Sequence, residues 1–301
     1  MKLAVQTGIY QKAGIPFMRS LDNIHELGFK YIDVPGFRQF MPQFLPVREQ
    51  LAIAKRLEQL DITPMTTIYM TKANPGSHNK EERMAAFKEI QPSARWIHRI
   101  GGSFLMFCEA CGRPNYDEDL DKNQALENSI ETLKWLCDWC DTELNGLKVL
   151  LEMIPYGGNL CSVESMKYVC DKVGAPNLYI NMDIGHCNLQ KINGKRFALA
   201  GEKLINVHIS DNLNFGDEGW IKEEDKVIGT GNTHIKEYME ELVKMDVEGN
   251  ARKAGLDDCY CTIECNELFD GFLPNPDWAI MKSRDWLLAN LPYFRDPELG
   301  I

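Results

Sequence analysis

Residues 148–187, KVLLEMIPYGGNLCSVESMKYVCDKVGAPNLYINMDIGHC, decide how the chain is read. The segment opens on an apolar run of strand length, Val149 to Leu151. From Val163 to Val173 apolar residues return at helical spacing, and Gly174 stands where a helix ends in the left-handed region. Tyr179, Ile180, Met182 and Ile184 then form a second strand-like run, read here as far as His186. Strand, helix, strand with nearly continuous apolar strands is a β–α–β unit, which pairs its strands in parallel and covers both faces. Each strand nevertheless carries an acid, Glu152 in the first and Asp183 in the second. A buried carboxylate without a partner costs several kcal/mol, comparable to the net stability of a domain.

The same alternation runs outward in both directions. Upstream, the strand-like runs are KLAVQTG, KYIDVPG, ITPMTTIYM and SFLMFCEA. They alternate with helical spacing over Ile15–Leu27, Pro46–Leu60, Asn79–Ile100 and Gln124–Leu144. Pro92 is expected to kink or split the third of these helices. In the fourth, Leu126, Ile130, Leu133, Cys137, Cys140 and Leu144 form one apolar face. Downstream, INVHISD and CYCTIECNE read as strands, with helices near Phe197–Leu204, over Ile235–Met245 and over Trp278–Leu291. Eight strand–helix pairs predict a closed (β/α)8 barrel, the TIM-barrel class, as a single α/β domain over residues 1–301. An open doubly wound sheet is the other reading, but the glycine-rich phosphate turn it often carries after the first strand is absent. Two long irregular stretches remain: an extended loop at about 212–233 after strand seven, and a polar insertion at 246–258 before strand eight.

Composition narrows the function. A net charge of −11 argues against non-specific binding to nucleic acid, which needs clustered cations on phosphates. The apolar runs are strand-sized, short of the roughly 20 residues of a spanning helix. The opening MKLAVQTGIY is too short an apolar run for a signal peptide, and the ten Cys read as reduced thiols, so a cytoplasmic location is expected. Cys108 with Cys111 and Cys137 with Cys140 have Cys-x-x-Cys spacing, but the second pair falls on the apolar helix face, where Cys packs as a small hydrophobe.

Four successive strands carry one ligand-type residue each toward the C-terminal end: Glu152, Asp183, His208 and Glu264. Barrel active sites are built at that end. Three carboxylates and one imidazole suit a divalent cation, Mn²⁺ or Mg²⁺ first, with Co²⁺ and Zn²⁺ also compatible. The cation would compensate the acids that burial penalises. His186 and Asp211, three residues after Asp183 and His208, and Trp220 in the long loop are the candidates for substrate binding.

The chain resembles the xylose isomerase-like barrels, within them the sugar phosphate isomerase/epimerase family. The matching motifs are LEMIP with Glu152, NMDIGH with Asp183 and His186, NVHISD with His208, and TIEC with Glu264. IGTGNTHI is similar to the family's glycine motif, and LGFKYIDVPG to its second strand, with Asp33 where Glu is more common. The resemblance implies that Glu152, Asp183, His208 and Glu264 ligate the metal, that Glu152 and Glu264 are also the catalytic acid/base pair, and that His186 contacts substrate. It implies an isomerase or epimerase of a sugar or related polyhydroxy carbonyl compound, removing a proton next to the carbonyl through a metal-stabilised enediolate. A lyase of the inosose or dehydroshikimate dehydratase type, or a C–C bond-cleaving enzyme, would use the same site. An endonuclease IV-like repair nuclease fits less well, because the chain has six His and is acidic. The expected partner is a small-molecule substrate, with no nucleic acid and no membrane; a homo-oligomer is left open. The pocket departs from the family pattern at Asn214, Gly158 and Cys108, where Arg, Glu and His are frequent, and at His234, which replaces an acid.

Overall fold

The eight apolar runs form eight parallel strands that close on themselves in chain order. The architecture is that of a computed structural model, which describes residues 1–35, 45–69, 71–107, 121–153, 160–214, 226–265 and 275–294. The strands are β1 (Lys2–Gln6), β2 (Tyr31–Pro35), β3 (Thr63–Ile68), β4 (Phe104–Phe107), β5 (Lys148–Glu152), β6 (Leu178–Asp183), β7 (Leu204–Ile209) and β8 (Tyr260–Ile263). Closure is made by β1 against β8, with Lys2 opposite Tyr260 and Val5 opposite Ile263. Strands buried on both faces explain the unbroken apolar runs: Phe104, Leu105, Met106, Val149, Leu150, Leu151 and Val207 are all fully buried.

The outer layer comprises α1 (Gly8–Lys12), α2 (Phe17–Glu26), α3 (Val47–Gln59), α4 (Lys80–Arg99), α5 (Lys122–Glu143), α6 (Val163–Val173), α7 (Ile184–Leu189), α8 (Ile235–Lys244), α9 (Val247–Lys253) and α10 (Pro276–Asn290). A 3₁₀ stretch, Gly194–Lys203, takes the helical place between α7 and β7. The face expected on α5 is its packed face, with Ile130, Leu133, Cys137, Cys140 and Leu144 buried. Burial pushes the thiol of Cys137 well above its ordinary range and that of Cys140 up to about 12, as suits packing groups. α6 ends on Gly174 at φ 69°, as its sequence requires. No helix among the described residues is long and apolar enough to cross a membrane.

Three expectations are corrected. Pro92 does not split α4, which runs unbroken through it. The carbonyl that Pro92 leaves unpaired belongs to Lys88, on the exposed side of the helix, where water can satisfy it. The stretch 246–258 is not merely an insertion: it contains α9, opened by Asp246, whose side chain accepts from Gly249 N. The run read as strand through His186 ends at Asp183, and Ile184 already begins α7.

Candidate metal centre and active site

Asp183 is the turning point between β6 and α7. Its Oδ1 caps the helix, accepting from Gly185 N at 2.8 Å and His186 N at 3.0 Å, and takes a third bond from Ser210 Oγ at 2.8 Å. Gly185 is required here, because a Cβ at that position would run into Ser210 at the end of β7. Asp183 is wholly buried, yet its Oδ2 has no hydrogen-bond partner. Burial pushes its carboxyl up, and the Glu264 and Glu152 charges add to that.

The other members approach the same point. Glu152 ends β5, His208 lies in β7 directly opposite Asp183, and Glu264 follows β8 with its N–H still donating to Ile209 O. One ligand atom from each of Glu152, Asp183, His208 and Glu264 lies within 4.8 Å of all the others. His208 Nδ1 is 2.9 Å from Glu152 Oε1 and 2.8 Å from Glu264 Oε2. Neither contact is aligned as a hydrogen bond, so Nδ1 too is buried without a hydrogen-bond partner. Burial lowers the His208 pKa, but the Glu152 and Glu264 charges outweigh it and hold the imidazole well above its ordinary value. A cluster of three acids around one ring nitrogen demands positive charge at its centre. A proton is one answer and a divalent cation another.

The other three members, Glu152, Glu264 and His208, are each held from behind by a polar side chain inside the barrel. Asn181 Nδ2 donates to Glu152 Oε1 at 2.7 Å, and Asn206 Nδ2 donates to Asn181 Oδ1 at 2.9 Å. Gln6 Nε2 donates to Glu264 Oε1 at 2.7 Å. Asp33 Oδ2 meets His208 Nε2 at 3.1 Å and accepts from Thr262 Oγ1 at 2.7 Å. Sequence reading did not single out Gln6, Asn181, Asn206 or Thr262, and noted Asp33 only as a variant of a motif. A signal was present: Asn181, Asn206 and Thr262 each precede a cluster residue by two positions, on the same strand face.

The proposed substrate contacts divide. His186 is buried beside the cluster: its Nδ1 donates to Met153 O at 2.8 Å, turning Nε2 to within 3.7 Å of Asp183 Oδ2. Burial lowers its pKa, but the charges of Asp183, Glu152 and Glu264 raise it more. Asp211 is engaged elsewhere. Its Oδ1 accepts from Asn212 N and Thr233 N, and its Oδ2 from Gly229 N and Gly231 N, both at 2.8 Å. The IGTGNT motif is therefore a cradle of backbone amides around Asp211, and a Cβ on Gly231 would collide with that carboxylate. Asp211 anchors the loop rather than presenting its carboxylate to a ligand. Trp220, Gly158, Cys108 and Cys111 lie outside the described residues. Asn214 donates through Nδ2 to Asn188 O at 2.7 Å, and His234, at the start of α8, is exposed.

A closed parallel barrel with acids and a histidine converging at the C-terminal rim defines a class of rim-site barrel proteins. Within it, the family model for xylose isomerase-like TIM barrels matches residues 21–251, and the chain belongs to that family. An L-ribulose 3-epimerase from Methylomonas sp. (strain DH-1) is 25% identical over 158 residues, 51% of this chain and 50% of that protein. The match thus spans about half the length of that curated relative. Among solved structures, the IOLI protein with a binding zinc atom aligns with a TM-score of 0.78 at 17% identity, over 98% of this chain and 100% of that chain. D-psicose 3-epimerase with D-tagatose, from Clostridium cellulolyticum H10, aligns with a TM-score of 0.76 at 15% identity, over 97% and 99%. At these identities the structural likenesses show the fold.

Proposed function

We propose that this protein is a divalent-metal-dependent epimerase or isomerase of a ketose or related polyhydroxy carbonyl compound. One observation carries the reading: four ligand atoms from four consecutive strands gather within 4.8 Å, and two buried ones, Asp183 Oδ2 and His208 Nδ1, lack hydrogen-bond partners. Native structures rarely leave such atoms orphaned unless an ion or water completes them. Glu152, Asp183, His208 and Glu264 would hold the ion, and an oxygen-rich set with one nitrogen suits Mn²⁺ or Mg²⁺, with Co²⁺ and Zn²⁺ compatible. When bound, the ion supplies Lewis-acid stabilisation of the negative charge that develops on a carbonyl oxygen.

The chain's own residues perform the proton transfers. Glu152 and Glu264 come from β5 and the end of β8, which are not neighbours, so a substrate carbon can lie between them. Asn181 and Gln6 each donate a hydrogen bond to one of these carboxylates, which holds its orientation in the site. One carboxylate removes the proton beside the carbonyl, and the other returns a proton to the opposite face, inverting that carbon. His186 binds a substrate oxygen through Nε2. The likeness to an L-ribulose 3-epimerase over half the chain supports a sugar as substrate and the carbon next to the ketone as the reacting centre.

The test is a screen of ketoses, inososes and keto-acids with added Mn²⁺ in D₂O, followed by NMR. The expected product is an epimer carrying deuterium on the carbon next to the carbonyl. An epimer that keeps all its original carbon-bound hydrogen would contradict the two-carboxylate transfer and require hydride transfer. Loss of water from the substrate would assign the same site to a lyase.

A further inference from the structure

We infer that Asp33 selects Nδ1 of His208 as the metal-ligating atom and thereby sets the affinity of the site for its ion. Asp33 is a positioning residue, acting through His208, and the inference rests on the metal reading above. Its carboxylate is wholly buried on β2, 175 residues from the histidine in sequence. Among the described residues its side chain has two hydrogen-bond partners, His208 Nε2 at 3.1 Å and the Thr262 hydroxyl at 2.7 Å, both on Oδ2. Thr262 stands beside His208 in the β7–β8 register, so the two donors reach one oxygen from adjacent strands.

A carboxylate oxygen accepts, so Nε2 carries a proton, and the neutral ring then has its lone pair on Nδ1. Nδ1 is the atom facing Glu152 and Glu264 at 2.9 and 2.8 Å. Without Asp33 the preference would reverse. Nε2–H would be a buried donor with no acceptor, whereas a proton on Nδ1 would meet two carboxylates. That tautomer cannot ligate an ion through Nδ1. Asp33 therefore keeps a proton on Nε2, so that Nδ1 is the nitrogen that turns its lone pair to an ion among Glu152, Asp183 and Glu264. Outer partners of metal-bound histidines are worth about 10–100-fold in metal affinity.

The test uses the full chain in two measurements. Long-range ¹H–¹⁵N NMR of the Zn²⁺-loaded wild type, with ¹⁵N-labelled histidine, is expected to show His208 protonated at Nε2 and metal-shifted at Nδ1. Titration calorimetry with Mn²⁺ on stripped protein is expected to show an affinity loss of about 10–100-fold for Asp33→Asn, a smaller loss for Thr262→Val, and partial recovery in Asp33→Glu. A proton on Nδ1 of the Zn²⁺-loaded wild type, or a folded Asp33→Asn that binds Mn²⁺ within twofold of wild type, would overturn the inference. The NMR arm needs no variant, so it decides even if Asp33→Asn fails to fold. If wild type binds no Mn²⁺, or His208→Ala binds it as well as wild type, the metal reading itself fails. An Asp33→Asn result at wild-type affinity alongside loss in His208→Ala would refute only the role of Asp33.

Discussion

Asp183 and Asp211 look alike in sequence and differ in what the fold does with them. Asp183 is the last residue of β6, in NMD, Asp211 follows the end of β7 by two residues, in ISD, and each is buried. Asp211 has two backbone amides on each carboxylate oxygen, all from its own residue's neighbour and the glycine motif. Its charge is compensated by peptide dipoles, and nothing is left for a ligand. Asp183 has three donors on Oδ1 and none on Oδ2. That asymmetry separates a loop anchor from a candidate ligand: one oxygen fixes the side chain, and the other is left without a hydrogen bond beside Glu152, His208 and Glu264.

The largest expected effect separates the two regions by turnover. Glu152→Gln and Glu264→Gln are each expected to lower kcat by about 10²–10⁴-fold or more in steady-state assays on a substrate found by the screen, with folding unchanged by circular dichroism. Asp211→Asn is expected to stay within tenfold of wild type. A loss as large in Asp211→Asn would erase the distinction between the regions.

The second effect is on stability and runs the other way. Asp211→Ala strands four backbone donors, three of them only partly buried, and a loss of about 3 kcal/mol is expected in urea unfolding, since an orphaned group costs about 1–3 kcal/mol where water cannot reach it and less where it can. Asp183→Ala is expected to destabilise the metal-free protein less, because removing one of three crowded acids relieves repulsion while it loses the cap. The ordering of the two variants is the sharper test.

A smaller effect concerns pH. Protons compete with a metal for the cluster, and the Glu152 and Glu264 charges outweigh burial to hold His208 above its ordinary value of 6.5. Apparent Mn²⁺ affinity is therefore expected to keep rising as pH increases past 6.5, and to fall below it. An affinity already level at pH 6.5 would mean that His208 gives up no proton on binding. The smallest effect is Ser210→Ala, which removes one of three donors from Asp183 Oδ1 and is expected to weaken Mn²⁺ binding several-fold, about 1 kcal/mol.

How much of this was legible beforehand follows from the range of the interactions. The eight strand–helix pairs could be read because a parallel barrel buries its strands on both faces, leaving apolar runs such as FLMF and VLL that no solvent-exposed strand would keep. The rim cluster could be read because acids interrupt those runs at one end. α7 was hidden because Ile184 continues the apolar run after Asp183 and the helix has only six residues. α9 was hidden by its polar sequence, VEGNARK, of which Val247, Asn250 and Ala251 are buried. The backbone cradle of Asp211 was hidden because its partners are backbone amides, which every sequence supplies and none announces. Asp33 went unused because its partner is distant in the chain and only barrel closure brings β2 across to β7.

The most direct test of the central claim is metal content. Wild type, Asp183→Ala and Asp211→Ala are purified, stripped, reloaded with Mn²⁺, desalted and measured by elemental analysis against protein concentration. About one ion per chain is expected in wild type and in Asp211→Ala, and little or none in Asp183→Ala, since the remaining carboxylates and His208 are left around a poorly held ion. Full occupancy in Asp183→Ala, or no ion in wild type, would contradict the assignment of this cluster as a metal centre.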